Sequence, residues 1–248
     1  MKLLLAKAAL APLLLAQGRQ VRRKALRLPE AAGPRHGEVG DGELMLRLLI
    51  LGDSSGAGVG ASHQDEALAG RLSRALARRL GGRVRWQLVA RTGHNSAQAL
   101  SHLQSTDLQA ADVLVTALGV NDVVGQVGSQ SWLQTLQAID AHARQVAGVR
   151  YTLHSAIPPM HAFPLLPQPL RWWMGAQAMR LNQRLGQALA GTAERGVQAM
   201  PDELHGAKNR AAVQALMAPD GFHPGPAGYR LWAESLSERI ALEAFKDA

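Results

Sequence analysis

One stretch limits what this chain can fold into more than any other. Leu46-Arg47-Leu48-Leu49-Ile50-Leu51 runs straight into Gly52-Asp53-Ser54-Ser55-Gly56. A nearly continuous aliphatic run of strand length, without polar alternation, suits a strand buried on both faces. Sheets of that kind are parallel, covered by helices, and hold their ligands at the carboxyl ends of the strands. The run therefore delivers Ser54 to a ligand-binding edge, and the flanking glycines allow a tight turn and close approach. A serine in that position suits a nucleophile, a helix cap or a phosphate cradle. As a nucleophile it needs helpers from elsewhere in the chain, because an unassisted hydroxyl is weak.

The chain beyond it alternates strand-like and helix-like segments. Residues 66–80 carry helical spacing in Leu68, Leu72, Leu76 and Leu80 and close at Gly81-Gly82, a helix-stop signal. Strands are expected at 84–90, 112–118, 149–153 and 197–200. Helices are expected from about Ala97, at 131–146, at 179–189 and at 227–245. This alternation points to an α/β protein with a parallel sheet covered on both faces. Its length of 248 residues and 47% hydrophobic content suffice for one substantial core, which must be aliphatic because aromatic content is 4%.

The net charge of +8 raises the question of nucleic acid, and its distribution answers it. Residues 1–27 hold seven basic side chains (Lys2, Lys7, Arg19, Arg22, Arg23, Lys24 and Arg27) and no acidic one. The remainder has 20 basic and 19 acidic residues, so the body is nearly neutral and no nucleic-acid partner is expected. The leader is apolar from Leu3 to Ala16 except for Lys7, and carries Pro12. Its uninterrupted part is much shorter than the ~20 residues a spanning helix needs. An apolar segment followed by a basic cluster suits peripheral docking on an anionic membrane surface. A signal or signal-anchor, or a helix packed on the domain, are the alternatives. Membrane association on the cytoplasmic face is the expected location, with an exported, periplasmic protein as the alternative. Residues 28–45, with Pro29, Gly33, Pro34, Gly37, Gly40 and Gly42, read as a loop-rich linker to a domain spanning 46–248. The absence of cysteine excludes disulfides and thiolate chemistry.

Helpers for Ser54 do occur. Asp220-Gly221-Phe222-His223 lies near the end of the chain, bracketed by Pro219, Pro224 and Pro226, which restrict its backbone. A carboxylate and an imidazole three residues apart in a turn can face each other, leaving the second ring nitrogen for a serine. Acyl transfer also needs fixed donors for the developing oxyanion. The amide of Gly93, the side chain of Asn121 and the amide of Ser54 are the candidates, on loops at the same sheet edge. Taken in order, Gly52-Asp53-Ser54, Gly93, Gly119-x-Asn121-Asp122 and Asp220-x-x-His223 resemble the four blocks of the GDSL or SGNH hydrolases over residues 46–245. That resemblance implies a flavodoxin-like three-layer α/β/α fold and serine esterase, lipase or thioesterase activity. It implies Ser54 as nucleophile, His223 as base, Asp220 as its partner, and Ser54, Gly93 and Asn121 as oxyanion donors. It implies no metal and no cofactor. Ser55 departs from the leucine common after the nucleophile.

Other features admit ordinary readings beside functional ones. Asp53 and Asp122 are expected to hold their turns, and Met174 and Met179 to fill the core. His94, Val123, Phe163 and Leu165 are candidate substrate contacts. Residues 157–175, rich in proline and apolar side chains and ending in Trp172-Trp173, are either a loop packed on the core or a wall for an acyl chain. Two other functions compete. Gly56-Ala57-Gly58-Val59-Gly60-Ala61 matches a dinucleotide fingerprint, and Arg91 after the second strand would suit NADP. A catalytically silent lipid- or membrane-binding module on the same fold is the other. Oligomeric state is left open.

Overall fold

The computed structural model describes residues 2–204 and 210–243, with side chains described for 10–204 and 213–243. After an N-terminal helix α1 (Lys2–Lys24), strands β1 (His36–Val39), β2 (Leu44–Gly52), β3 (Arg83–Ala90), β4 (Val113–Ala117), β5 (Tyr151–Ser155) and β6 (Arg195–Gln198) form one sheet. They alternate with α2 (Leu68–Leu80), α3 (Ser96–Gln104), α4 (Val120–Val124), α5 (Ser129–Ala147) and α6 (Leu170–Leu189). Helices α7 (Arg210–Leu216) and α8 (Pro226–Glu243) close the chain. The last two residues of the closing helix read from sequence lie outside the described residues.

The strand order is β1-β3-β2-β4-β5-β6, and every neighbouring pair except β1·β3 is parallel. The five parallel strands, counted in their own chain order, lie second-first-third-fourth-fifth, a doubly wound flavodoxin-like arrangement. The order reverses around β2, so a crevice opens at the carboxyl ends of β2 and β4. β2 is the central strand, and its run explains why. Leu46, Leu48 and Ile50 pack towards α2 and α8 with Leu68, Leu72, Tyr229 and Trp232, while Leu49 and Leu51 pack towards α3, α5 and α6 with Leu103, Ile139 and Leu181. Full burial of each such aliphatic side chain is worth about 1.5–3 kcal/mol, so two covered faces hold this strand where a polar alternation could not. Arg47, the charge in the run, sits at the amino-terminal part of β2. There Asp112 takes its Nε and Nη2 at 3.0 and 2.5 Å.

Several sequence readings need correction. The sheet is mixed, because His36–Val39 adds an antiparallel edge strand to β3. Residues 28–45 are therefore not merely a linker. Glu38 pairs across the strands with Arg85 (2.6 Å), Gly37 lets the backbone lie against Trp86, and Ala31 is buried in the core. A short polar strand of this kind covers an edge that would otherwise be open to association. α6 begins nine residues before the expected 179, because Pro169 sits at its N-cap and Gly175 lets the first turns cross His161 closely. β6 ends two residues short of the expected Met200. The leader is a helix whose inner face, with Leu14 buried and Leu10 and Val21 half-buried, packs on the domain. No helix among the described residues is long and apolar enough to cross a membrane.

Candidate active site

Each block read from the sequence sits at or beyond the carboxyl end of a strand, or just before α8. Ser54 follows β2 on a turn that only small residues allow. A Cβ on Gly52 would lie 2.6 Å from the Cα of Gly56, and one on Gly56 equally close to Gly52. Asp53 fastens the turn, its carboxylate accepting the Ser55 amide at 2.9 Å while its own amide bonds Ala117 O. Asp53 is fully buried, and burial pushes its carboxyl up to about 6, only partly opposed by the Ser55 amide and the nearby His223.

Gly221-Phe222-His223 is wrapped around Asp220. One carboxylate oxygen accepts the amides of Phe222 and His223 at 3.0 and 3.1 Å, and the other lies 2.6 Å from His223 Nδ1. Burial raises the Asp220 carboxyl, but these donors and the imidazole outweigh it and leave the group below its ordinary range. His223 Nε2 lies 2.7 Å from Ser54 Oγ, across 169 residues of sequence. Gly60 makes that approach possible: a Cβ there would lie 2.3 Å from Pro224 O, and its φ of +100° suits glycine. The Tyr229 hydroxyl donates to Val59 O at 2.6 Å, clamping the Ser54 turn to the start of α8. Pro226 opens α8 at its first helical position, where the missing N–H costs nothing.

The two remaining blocks are tied to each other. Asn121, in α4, donates from Nδ2 to His94 O at 2.9 Å. Asp122 accepts the Ser96 amide and, at 2.8 Å, its hydroxyl, which in turn accepts Trp132 Nε1. Asp122 is pushed up by burial against these bonds. Gly93 adopts φ +85°. Thr92 donates its amide to Glu30 at 2.7 Å, and Glu30 is held by Arg35, which also bonds Ala90 O. Sequence reasoning missed Glu30, Arg35, Ser96 and Trp132. The Asn95-x-x-Gln98 capping box that starts α3 was the one available signal nearby.

Ser54, Gly93, Asn121 and His223 all line one cavity of about 400 Å³. Its walls are otherwise mainly apolar, with Leu118, Met160, Leu166, Met174, Met217 and Trp232 among them. Of the candidate substrate contacts, only Phe163 lines it. Val123 is buried in the core, because the single turns of α4 present Val120, Asn121 and Val124 to the cavity instead. His94 packs edge-on against His102 with ring centroids 5.4 Å apart, outside the lining. Leu165 is 54% exposed and lies over Gly221. Met174 packs against the core and also lines the cavity, and Met179 is exposed rather than in the core. Segment 157–175 supplies Pro158, Pro159, Met160, Phe163, Leu166 and Met174 to the cavity wall, and Met160, Phe163 and Leu166 are at the same time part of the core.

The dinucleotide fingerprint has a packing explanation. Gly56 meets Gly52, Gly58 meets the Cβ atoms of Ala31 and Ala67, and Gly60 meets Pro224. No helix opens there; residues 53–60 are turns and α2 starts at Leu68, so no helix N-terminus is aimed at a pyrophosphate.

A doubly wound α/β/α sheet with a serine, an imidazole and a carboxylate in hydrogen-bond sequence at its switch point defines a class of fold and site. Comparison with known proteins narrows it. Residues 50–231 match the model of the GDSL-like Lipase/Acylhydrolase family. A GDSL-like esterase of Mycobacterium tuberculosis is 26% identical over 193 residues, 77% of this chain and 60% of that protein. The chain thus spans well under two thirds of that relative's length. Among solved structures, a lipase from a goat rumen metagenome superposes with TM-score 0.63 at 19% identity, covering 80% of this chain and 98% of that one. The esterase EstA of Pseudoalteromonas, inhibited by monoethylphosphonate, does so with TM-score 0.56 at 20% identity, covering 79% and 97%. The chain belongs to the GDSL-like Lipase/Acylhydrolase family.

Proposed function

We propose that this protein is a serine hydrolase of carboxylic esters with apolar acyl groups, working through an acyl-enzyme on Ser54. The observation that carries the reading is the unbroken line Ser54 Oγ, His223 Nε2, His223 Nδ1, Asp220 Oδ2, with spacings of 2.7 and 2.6 Å, at the wall of an apolar cavity. Neutral His223 donates from Nδ1 to Asp220 and accepts the hydroxyl proton at Nε2 as Ser54 Oγ attacks the acyl carbonyl carbon. Asp220 keeps its negative charge throughout and stabilises the imidazolium. The oxyanion takes hydrogen bonds from the amides of Ser54 and Gly93 and from Asn121 Nδ2. Asn121 spends one N–H on His94 O and keeps its second for the oxyanion. Collapse expels the alcohol, which leaves with the proton from His223 Nε2. Water then gives a proton to the same nitrogen as its oxygen attacks the acyl carbonyl carbon, and collapse releases the acid as that proton passes from His223 Nε2 to Ser54 Oγ. No step requires a metal or organic cofactor.

The apolar walls favour an aliphatic acyl group over acetate, since every methylene buried adds about 0.8 kcal/mol to binding. The test is kcat/KM across p-nitrophenyl esters from acetyl to dodecanoyl. A rise with chain length up to the cavity's capacity is expected, with only background hydrolysis in Ser54→Ala. Strict preference for acetyl overturns the acyl assignment, and near-normal turnover in Ser54→Ala overturns the mechanism.

A further inference from the structure

The cavity beside Ser54 is closed in part by a segment outside the four blocks. Gly18, Val21, Arg22 and Ala25 of α1 and the residue after it line the cavity together with Ser54 and His223. Helical spacing explains why: Leu14, Gly18, Val21 and Ala25 fall on one face, which is turned inward. Gln17 holds the helix in place. Its amide nitrogen donates to Gln168 O at 2.7 Å and its carbonyl accepts the Leu170 amide at 3.1 Å, at the start of α6. Behind α1 the chain is fastened to the body again, through Ala31 N to Ala57 O and through Glu30 to Thr92. The helix is thus a flap fixed at its carboxyl end and held on the body by the packing of Leu14 and, among the described residues, by the hydrogen bonds of Gln17.

Its outer face has a different character at its two ends. Pro12, Leu13 and Leu15 are exposed near the start, Leu13 at 46% and Leu15 at 56%. Arg19, Arg23 and Lys24, with Arg27 just beyond, are exposed near the end, as is the cavity-lining Arg22, and the leader carries no carboxylate to neutralise them. Trp172, two residues past the Leu170 amide that Gln17 holds, is 46% exposed. Exposed leucine and tryptophan followed by a cationic cluster match the apolar boundary and the anionic headgroups of a phospholipid surface.

We propose that α1 is a membrane-docking lid, whose inner face closes the acyl cavity over Ser54 and whose outer face binds an anionic phospholipid bilayer. This deepens the hydrolase reading and rests on it for the lid, but not for the docking. Engagement of Leu13, Leu15 and the arginines with lipid competes with the Gln17 latch and the packing of Leu14. Opening the flap there exposes the cavity to acyl chains arriving from the bilayer, while esters too short to fill it need no opening.

The test uses the full chain with vesicles of pure phosphatidylcholine, and with vesicles containing phosphatidylglycerol. Co-sedimentation is expected with the phosphatidylglycerol vesicles only, and Arg19→Glu/Arg23→Glu should weaken it about twentyfold or more. Neither arginine lines the cavity, so hydrolysis of p-nitrophenyl acetate in the absence of vesicles should be unchanged in this variant and serves as the check on folding. Phosphatidylglycerol vesicles should raise hydrolysis of the dodecanoyl ester by the wild type without raising that of the acetyl ester. Gln17→Ala should raise dodecanoyl hydrolysis without vesicles. Equal binding to both vesicle types, or undiminished binding by the charge-reversed protein, overturns the docking face. Binding without a rise in the dodecanoyl to acetyl ratio, in wild type and Gln17→Ala alike, overturns the lid. Sedimentation requires no catalysis, so a protein that binds but hydrolyses no ester refutes the hydrolase reading and leaves the docking face standing.

Discussion

Replacing Asp220 with asparagine separates geometry from charge at the site. Asp220 makes three hydrogen bonds through two oxygens. One oxygen accepts the amides of Phe222 and His223, and an asparagine carbonyl can take over both. The other faces His223 Nδ1 at 2.6 Å, and there the substitution puts an N–H in place of an acceptor. The imidazole must then present a lone pair at Nδ1 and carry its proton on Nε2, the nitrogen 2.7 Å from Ser54 Oγ. A base with its accepting nitrogen already protonated cannot take the serine proton. In related devices that tautomer switch costs about 10⁴-fold in kcat, on the order of 5 kcal/mol of barrier. Because the two backbone bonds and the packing of a 2% exposed side chain survive, folding should be little affected. The assay is kcat for p-nitrophenyl butyrate beside thermal melting. A loss of activity below about tenfold with an unchanged melt would refute the role of Asp220, and a loss matched by unfolding would refute the bond-by-bond account of its loop.

Asn121→Ala should lower kcat by about 10²–10³-fold, roughly 3 kcal/mol, with KM changed little, because the lost bond forms in the transition state; a KM effect alone would contradict its oxyanion role. Glu30→Ala frees the Thr92 amide beside Gly93 and should lower kcat by about tenfold, with Glu30→Gln largely restoring it, since an acceptor at that position remains. Stability should depend on pH through Asp53. Its folded value of about 6 exceeds the ordinary carboxyl value, so the folded state holds this proton more tightly than the unfolded one, and stability is lost as pH rises from about 4 through 6. Relative to wild type, Asp53→Asn should therefore gain on the order of 3 kcal/mol between pH 4 and pH 8 in urea melts; a pH-independent difference would contradict the buried, proton-holding carboxyl.

What could be read in the sequence follows from how each feature is encoded. The central strand announces itself because two buried faces require uninterrupted Leu46 to Leu51. The positions of Ser54, Asp220 and His223 were legible because each sits on a loop whose glycines or prolines mark it, and that of Asn121 because it opens α4 just after Gly119. The cavity wall was less legible. Choosing Val123 over Val120 and Val124 is a matter of helical phase in a helix of five residues, which sequence periodicity cannot set. Edge strand β1 escaped detection because its partner covers only one edge, so it needs neither an aliphatic run nor alternation and reads as loop through Gly37 and Gly40. The packing of α1 was hidden for a different reason. Its inner face uses Gly18 and Ala25, which carry little hydrophobic signal, and its exposed Leu13 and Leu15 suggest the opposite orientation. The dinucleotide match misled in the other direction: small residues needed for the close approach of Gly52, Ala67 and Pro224 imitate a phosphate loop.

The central claim is that Ser54, and not Ser55 beside it, carries the acyl group. Reaction of the full chain with a fluorophosphonate probe, followed by intact-mass measurement and peptide mapping, tests it most directly. One adduct per chain on Ser54 is expected, absent in Ser54→Ala and in protein denatured beforehand, and blocked by prior incubation with a slowly turned-over long-chain ester. An adduct on Ser55, or ester hydrolysis that continues unchanged after Ser54 is fully labelled, would contradict it.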